Sequence, residues 1–165
     1  MIDIGSGAGF PGLPLKIYRP EMRLTLLESQ KKRIAFLKEA RERLNLLDVE
    51  ILHGRAETYG HLKGCRESYD LAVCRAVGGL ATIVELALPF LKDKGIFIAM
   101  KGPKAKEEIA QAERAMELLS GRLKGSKHFT LPFTNDKRVL VLIEKQNPTP
   151  DRYPRRPNLP QKRPL

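Results

Sequence analysis

The feature that most constrains the fold is a glycine-rich segment near the start of the sequence. It reads DIGSGAGFPG over residues 3–12 and directly follows a short apolar run. Glycine permits a positive φ and lets backbone N–H groups approach a ligand without a Cβ in the way. Pro11 is suited to the first turn of a helix. A strand, a glycine-rich turn and a helix in this order predict a ligand-binding loop.

The glycine spacing is compatible with two cofactors. Gly7, Gly9 and Gly12 satisfy the G-x-G-x-x-G fingerprint of dinucleotide-binding proteins. However, a carboxylate at Asp3 would repel a pyrophosphate and would suit the cationic α-amino group of a methionine moiety. Pro11 also removes an N–H that a pyrophosphate could use. The segment therefore favours S-adenosylmethionine over a dinucleotide.

The rest of the chain alternates short apolar runs with longer helix-like stretches, which predicts βαβ units and a mostly parallel sheet. Residues 129–133 and 139–144, joined by a short polar turn, predict a final antiparallel hairpin. We expect an α/β fold with a seven-stranded sheet whose last strand is antiparallel. The predicted strands are 1–4, 24–28, 49–53, 71–75, 96–101 and 139–144, and the predicted helices are 11–18, 30–44, 80–91 and 105–119.

Two positions in this framework are candidate cofactor contacts. Gly7 lies in the glycine-rich loop, where a backbone N–H can approach the ligand. Glu28 ends the second strand, and a carboxylate there can accept hydrogen bonds from two vicinal ribose hydroxyls.

Charge and proline content divide the chain. Thirty Lys and Arg against nineteen Asp and Glu give a net charge of +11, which favours a polyanionic partner. Residues 146–165 hold six of the twelve prolines and five basic residues, so they are expected to form an extended, docked or disordered tail. We therefore predict a cofactor-binding domain over residues 1–145 followed by a basic tail over residues 146–165.

Other classes of protein are disfavoured. No apolar run approaches the ~20 residues of a membrane span and no signal peptide opens the chain, which predicts a soluble, cytoplasmic protein with no membrane partner. Cys65 and Cys74 have no zinc-ligand spacing with the three histidines, so we expect no metal. We also expect a monomer.

A set of motifs points to one family. DIGSGAGFPG, LLESQKKRIAFLKEA, HGRAE, CRAV, MKG and RYPRRPNLPQKRPL occur in this order. Together they resemble the bacterial glucose-inhibited division B family, the small-subunit ribosomal RNA guanine-N7 methyltransferases, along essentially the whole chain. GSGAGFPG followed by a KR-x-x-FL helix is specific, whereas the glycine motif alone indicates only the superfamily. The resemblance implies a Rossmann-like class I methyltransferase fold and methyl transfer from S-adenosylmethionine to a guanine N7 in 16S ribosomal RNA.

The resemblance also implies site residues. Cofactor contacts are expected from Gly5, Phe10, Ala56, Glu57 and Arg75. The last of these ends the fourth predicted strand, on the side where open α/β sheets bind ligands.

RNA contacts are expected from basic residues near the mouth of the site. Lys101 ends the fifth predicted strand, and Arg155, Arg156 and Lys162 lie in the tail. No catalytic residue is predicted, because guanine N7 has a lone pair and no proton to remove. Since N7 of paired RNA lies in a deep, narrow groove, an unpaired or splayed-out base is the expected target.

Two alternatives stay open at this stage. One is a methyltransferase of the same fold that acts on a protein or small molecule, and the other is an inactive cofactor-binding module that binds RNA. The first predicted strand is short, and family members carry a helical segment before the glycine-rich loop. We therefore expect that residues upstream of Met1 have been lost.

Overall fold

The described residues form a seven-stranded sheet with helices on both faces. The computed structural model describes residues 1–75 and 77–165, so Ala76 of the CRAV motif lies outside the described residues. The strands are β1 (Ile2–Ile4), β2 (Leu24–Glu28), β3 (Val49–His53), β4 (Tyr69–Arg75), β5 (Leu91–Lys101), β6 (Gly121–Thr130) and β7 (Lys137–Lys145). The helices are α1 (Gly12–Tyr18), α2 (Lys31–Arg43), α3 (Ala56–Tyr59), α4 (Leu80–Ala87), α5 (Ala105–Gln111), α6 (Glu113–Leu118) and α7 (Leu159–Lys162), with a 3-10 turn over Leu88–Phe90.

Strand β1 is the third of seven strands in the sheet, whose order is β3-β2-β1-β4-β5-β7-β6. It pairs in parallel with β2 and β4, and β4 pairs in parallel with β5. β7 runs antiparallel between β5 and β6. The predicted seven-stranded, mostly parallel sheet with an antiparallel last strand is confirmed. Because the central strands are parallel, their carboxyl ends meet at one edge.

The core lies on both faces of the sheet. Leu26 and Leu27 are neighbours in β2 and belong to different apolar clusters, which therefore lie on opposite faces. Leu13 of α1 and Leu37 of α2 pack on the smaller cluster. The larger cluster contains α4, which is buried along its whole length. No helix within residues 1–75 and 77–165 is long and apolar enough to cross a membrane.

Several elements differ from the sequence-based prediction. β6 begins at Gly121 rather than at residue 129, because this mostly exposed edge strand is held by pairing with β7 and has no apolar run of its own. The helix predicted over residues 105–119 is two helices separated by a turn at Ala112. The helix predicted over residues 80–91 ends at Ala87 and is followed by the 3-10 turn, and the strand predicted over residues 96–101 already begins at Leu91.

The C-terminal segment, residues 146–165, is docked against the rest of the chain. Arg66 donates hydrogen bonds to the carbonyl oxygens of Thr149 and Tyr153, at 2.6 and 2.8 Å. A ring nitrogen of His61 lies 2.7 Å from the carbonyl oxygen of Pro154. These contacts satisfy backbone groups that prolines and an irregular path leave without partners in a sheet or helix. Of the three states expected for this segment, the docked one is observed.

Candidate functional site

Two adjoining cavities open at the carboxyl ends of the parallel strands. The larger, here the loop cavity, has a volume of about 710 Å³ and is lined by the glycine-rich loop, the end of β2 and Arg75. The smaller, here the inner cavity, has a volume of about 90 Å³ and an apolar wall that includes Ile4 and Leu27. The residues common to both are Gly5, Ser29, Arg55, Val77 and Gln161.

The seven residues predicted to contact the cofactor all line these two cavities. The loop cavity is lined by Gly5, Gly7, Phe10, Glu28 and Arg75. The inner cavity is lined by Gly5 again, with Ala56 and Glu57 at the start of α3.

The backbone of the loop requires glycine at two of these positions. Gly5 has a φ of +70°, and a Cβ there would lie 2.6 Å from Cγ2 of Val77. Gly7 has a φ of +58°, and its N–H donates a hydrogen bond to Oε2 of Glu28 at 2.9 Å. A side chain at either position would strain the backbone in the left-handed region. The loop conformation and the end of β2 are therefore fixed together.

Glu28 is a buried acceptor for several backbone donors. Its Oε1 accepts the N–H groups of Ser29 and Gln30, at 2.8 and 2.9 Å, while Oε2 accepts that of Gly7. Arg33 lies 3.5 Å from Oε2 and is half exposed. Burial raises the pKa of the Glu28 carboxyl, but the three N–H donors and the guanidinium outweigh it and the net pKa is lowered. The residue is ionised at neutral pH and holds the walls of the loop cavity in place.

Asp3 lies beneath the loop rather than in the cavity wall. Its Oδ2 accepts the N–H of Gly12 at 2.9 Å, and its Oδ1 is buried without a partner among the described residues. Burial raises the pKa of Asp3 to about 6, despite the opposing effects of Gly12 N–H and Arg75. The structure therefore gives Asp3 a role at the start of α1, and the expected direct contact with a methionine amino group has no geometric support.

Replacing Asp3 with Asn should stabilise the protein at neutral pH. The carboxyl binds its proton more tightly in the folded state, so its contribution to stability is lost as the pH rises from about 4 to about 6. We expect Asp3→Asn to raise the free energy of unfolding by ~2 kcal/mol at pH 7.5, since two pKa units correspond to ~3 kcal/mol and the buried amide lacks one partner. Urea unfolding at pH 7.5 and pH 4 measures this. If the variant and the wild type differ in free energy of unfolding by the same amount at both pH values, the raised pKa of Asp3 is contradicted.

Arg75 lines both the loop cavity and a third cavity. Its guanidinium carbon lies 5.4 Å from the ring centroid of Phe10, in cation–π geometry. The third cavity, here the outer cavity, has a volume of about 570 Å³. This cavity combines apolar and charged side chains and is lined by Arg75, Met100, Lys101, Gly102, Glu108, Phe129, Leu131 and Arg138.

The four predicted RNA contacts differ in their exposure and in their partners within the protein. Lys101 lines the outer cavity, but its Nζ is 2.6 Å from Oε2 of Glu108 and its side chain is only 9% exposed. Arg155 forms a bidentate ion pair with Glu85, at 2.6 and 2.8 Å, so its charge is neutralised within the protein. Arg156 and Lys162 are exposed on the C-terminal segment. Of the four predicted contacts, only Arg156 and Lys162 are exposed and outside the ion pairs found among the described residues.

Several lining residues were missed by the sequence analysis. Arg33 was not among the predicted contacts, although its position close after the end of β2 was a usable signal. Gln161 lines the loop and inner cavities from the C-terminal segment, and Phe129 and Arg138 line the outer cavity from the β6–β7 hairpin. No local pattern places these three at the cavities, because their positions depend on contacts distant in sequence.

Comparison with known proteins identifies the family. The family model described as rRNA small subunit methyltransferase G matches residues 1–140. The chain belongs to this family. The ribosomal RNA small subunit methyltransferase G of Alkaliphilus metalliredigens is 50% identical over 165 residues, which is 100% of this chain and 69% of the relative. That of Moorella thermoacetica is 51% identical over the same length, again 69% of the relative.

Solved structures show the same fold at low sequence identity. TYW2 of M. jannaschii, solved in complex with AdoMet, is similar with a TM-score of 0.68 and 16% identity over 87% of this chain and 68% of that chain. A precorrin-6y C5,15-methyltransferase from Geobacter metallireducens gives a TM-score of 0.59 at 15% identity, over 89% of this chain and 78% of that chain. The class I methyltransferase fold expected from the family resemblance is thereby confirmed.

Proposed function

We propose that this member of the family transfers a methyl group from S-adenosylmethionine to N7 of a guanine in 16S ribosomal RNA. The relatives of about 50% identity are named ribosomal RNA small subunit methyltransferases, which supports the reaction and the substrate class. The observation that carries the proposal in this chain is that Arg75 lines both the loop cavity and the outer cavity. A methyl donor and an acceptor base can therefore meet beside this residue.

The loop and inner cavities suit the parts of S-adenosylmethionine. The buried carboxylate of Glu28 is placed for ribose hydroxyls, and the apolar inner cavity for a flat heteroaromatic base. The glycine-rich loop brings backbone N–H groups to the same space. When bound, the cofactor supplies an electrophilic methyl group on a sulfonium. The structural neighbour solved with AdoMet supports this choice of cofactor.

The outer cavity has the chemistry of a nucleotide site. Phe129 and Met100 offer apolar and stacking contacts to a base, and Arg138 offers a cation for a phosphate. The carboxylate of Glu108 is held by Lys101 and by the N–H of Leu80, at 2.6 and 2.8 Å. Both contacts fall on Oε2, so that oxygen holds Lys101 and the start of α4 in place.

This arrangement fits an acceptor that needs no base. Guanine N7 attacks through its own lone pair, so the protein has only to align N7 with the methyl carbon and the sulfur and to exclude water. Arg75, stacked on Phe10 between the two cavities, is placed to set that alignment.

The wider surface is consistent with RNA as substrate. The net charge of +11 attracts a polyanion, and Arg156 and Lys162 are exposed on the C-terminal segment, which we propose as the sites of phosphate contact. Work on ribosomal RNA would place the enzyme in the bacterial cytoplasm. That location and the monomeric state stay predictions.

Unmodified small-subunit RNA and subunits, incubated with methyl-labelled cofactor, test the proposal. We expect 7-methylguanosine at one position, detected by nucleoside analysis and by chain cleavage after borohydride and aniline treatment. A pair of variants adds a structural test, because Phe129 lines the outer cavity whereas Phe133 on the same hairpin is fully exposed and lines none of the three cavities. Phe129→Ala should lower the rate about 10-fold, since base stacking contributes ~1–3 kcal/mol.

The control for this pair is Phe133→Ala, which should keep the wild-type rate. S-adenosylhomocysteine should bind both variants as it binds the wild type, because neither side chain lines the loop cavity. Methylation only at an exocyclic nitrogen or a ribose would refute N7 as the acceptor, and equal rates in the two variants would refute the outer cavity as the acceptor site.

A further inference from the structure

Two residues of the C-terminal segment line the cavities proposed for the cofactor. Pro160 lines the inner cavity, and Gln161 lines both the inner and the loop cavities. These are the cavities whose other walls come from the glycine-rich loop and the ends of β2 and β3. A basic tail predicted to meet RNA therefore also closes the pocket proposed for S-adenosylmethionine.

The segment is fixed by the protein itself just before these residues and at Pro160. The N–H of Asn158 donates to Oε1 of Glu57 at 2.9 Å, and Oγ1 of Thr82 donates to the carbonyl oxygen of Pro160 at 3.1 Å. Glu57 is 7% exposed, so its carboxylate is largely withdrawn from solvent. Glu57, which the family resemblance implied as a cofactor contact, is thus engaged in anchoring the segment. Gln161 is held at the cavity mouth without needing a ligand to place it.

The chemistry of this wall matches one end of the cofactor. The inner cavity has aliphatic walls that include Ile4, Leu27, Leu86 and Pro160, which suit the faces of a purine. A glutamine amide offers one acceptor and two donors on adjacent atoms. Adenine presents an amino donor beside a ring-nitrogen acceptor, and an Asn or Gln amide can pair with both at once. Gln161 is the amide that lines both cavities.

We propose that Gln161 binds the edge of the adenine base and gives the pocket its preference for adenine. The C-terminal segment is then a component of the cofactor site, with Pro160 against the ring and Gln161 at its polar edge. This inference rests on the proposed function, since it takes S-adenosylmethionine as the ligand.

Calorimetry with S-adenosylhomocysteine and S-inosylhomocysteine, in which a 6-oxo group replaces the 6-amino group of the base, tests the inference. The wild type should prefer the adenine compound by about 10-fold. Gln161→Ala should weaken S-adenosylhomocysteine binding by about 10-fold and bring the ratio of the two dissociation constants close to one. Because the Gln161 side chain is exposed, the Tm of Gln161→Ala without ligand should equal that of the wild type.

Arg163→Ala is the matched control, since Arg163 directly follows α7, is exposed and lines neither cavity. It should keep both affinities. If the wild type binds S-adenosylhomocysteine and Gln161→Ala keeps the same affinity and the same ratio, the inference is overturned while the proposed function stands. If the wild type binds neither compound, the proposed function fails, and the inference fails with it.

Discussion

Replacing Arg155 with Ala is expected to remove ~3–5 kcal/mol from the free energy of unfolding. Glu85, on the buried helix α4, is 0% exposed, and the guanidinium of Arg155 meets it with two hydrogen bonds of 2.6 and 2.8 Å. The backbone N–H of Arg155 donates to the same carboxylate at 2.8 Å. Removing the cation leaves a buried charge with one remaining donor, which is among the costliest changes in a protein interior. For a chain of this length we expect a fall in Tm of ~10 °C.

Arg156→Ala is the matched control, because the neighbouring arginine is exposed and belongs to the same segment. Its Tm should stay within a degree or two of the wild-type value. Adding Glu85→Gln to Arg155→Ala should recover part of the loss, because a neutral amide is less costly to bury than an unpaired carboxylate. Thermal unfolding of the four proteins tests both points. Equal stability of the two single arginine variants would show that the ion pair contributes nothing.

Replacing Glu28 with Ala is expected to weaken S-adenosylhomocysteine binding about 100-fold. The change removes an ionised acceptor for the ribose and also leaves the N–H groups of Gly7, Ser29 and Gln30 without their partner. Hydrogen bonds to a charged group contribute ~1.5–3 kcal/mol each, so the loss of two accounts for the factor. Glu28→Gln keeps one acceptor oxygen and should lose only about 10-fold.

The same carboxylate predicts a dependence on pH. Its pKa is lowered in the folded state, so it contributes stability above its unfolded pKa of 4.5, and that contribution is lost as the pH falls through the lower folded value. The free energy of unfolding of Glu28→Gln should therefore differ from that of the wild type at pH 7, and the two values should converge in strong acid. Glu117→Ala, on the exposed side of α6, should change neither binding nor this profile. If Glu28→Ala binds S-adenosylhomocysteine as tightly as the wild type does, the carboxylate of Glu28 is not part of the cofactor site.

The sequence predicted most accurately what depends on local chemistry. The path from β1 through the glycine-rich loop to α1 is dictated by neighbouring residues, since Gly5 and Gly7 need positive φ. Glu28 could be placed because the ends of parallel strands share one edge of a sheet. The position of each predicted cofactor residue at the loop cavity or the inner cavity follows from these two facts and the family motifs.

What escaped prediction depends on partners distant in sequence. Arg155 was expected to be free for RNA, but it is neutralised by Glu85, which lies 70 residues away in the sequence. Glu85 belongs to α4, whose sequence is otherwise almost entirely apolar. β6 was placed too late because an edge strand with polar residues such as Lys124 and Lys127 has little apolar pattern and takes its register from β7. Gln161 lies within the last family motif, but its place at the cavities is revealed only by the contacts of Asn158 with Glu57 and of Pro160 with Thr82.

The docking of the C-terminal segment also bears on the order in which the molecule assembles. Its anchoring contacts join residues 101, 93 and 87 positions apart, from Asn158 to Glu57, Pro154 to His61 and Tyr153 to Arg66. Closing such long loops is entropically slow, so these contacts belong to the late stages of folding, after the central strands have paired. A chain folded only through β7 would present the glycine-rich loop but no closed inner cavity. On the proposal that these cavities hold the cofactor, cofactor affinity depends on the docked segment, and a bound cofactor will protect the segment from local opening.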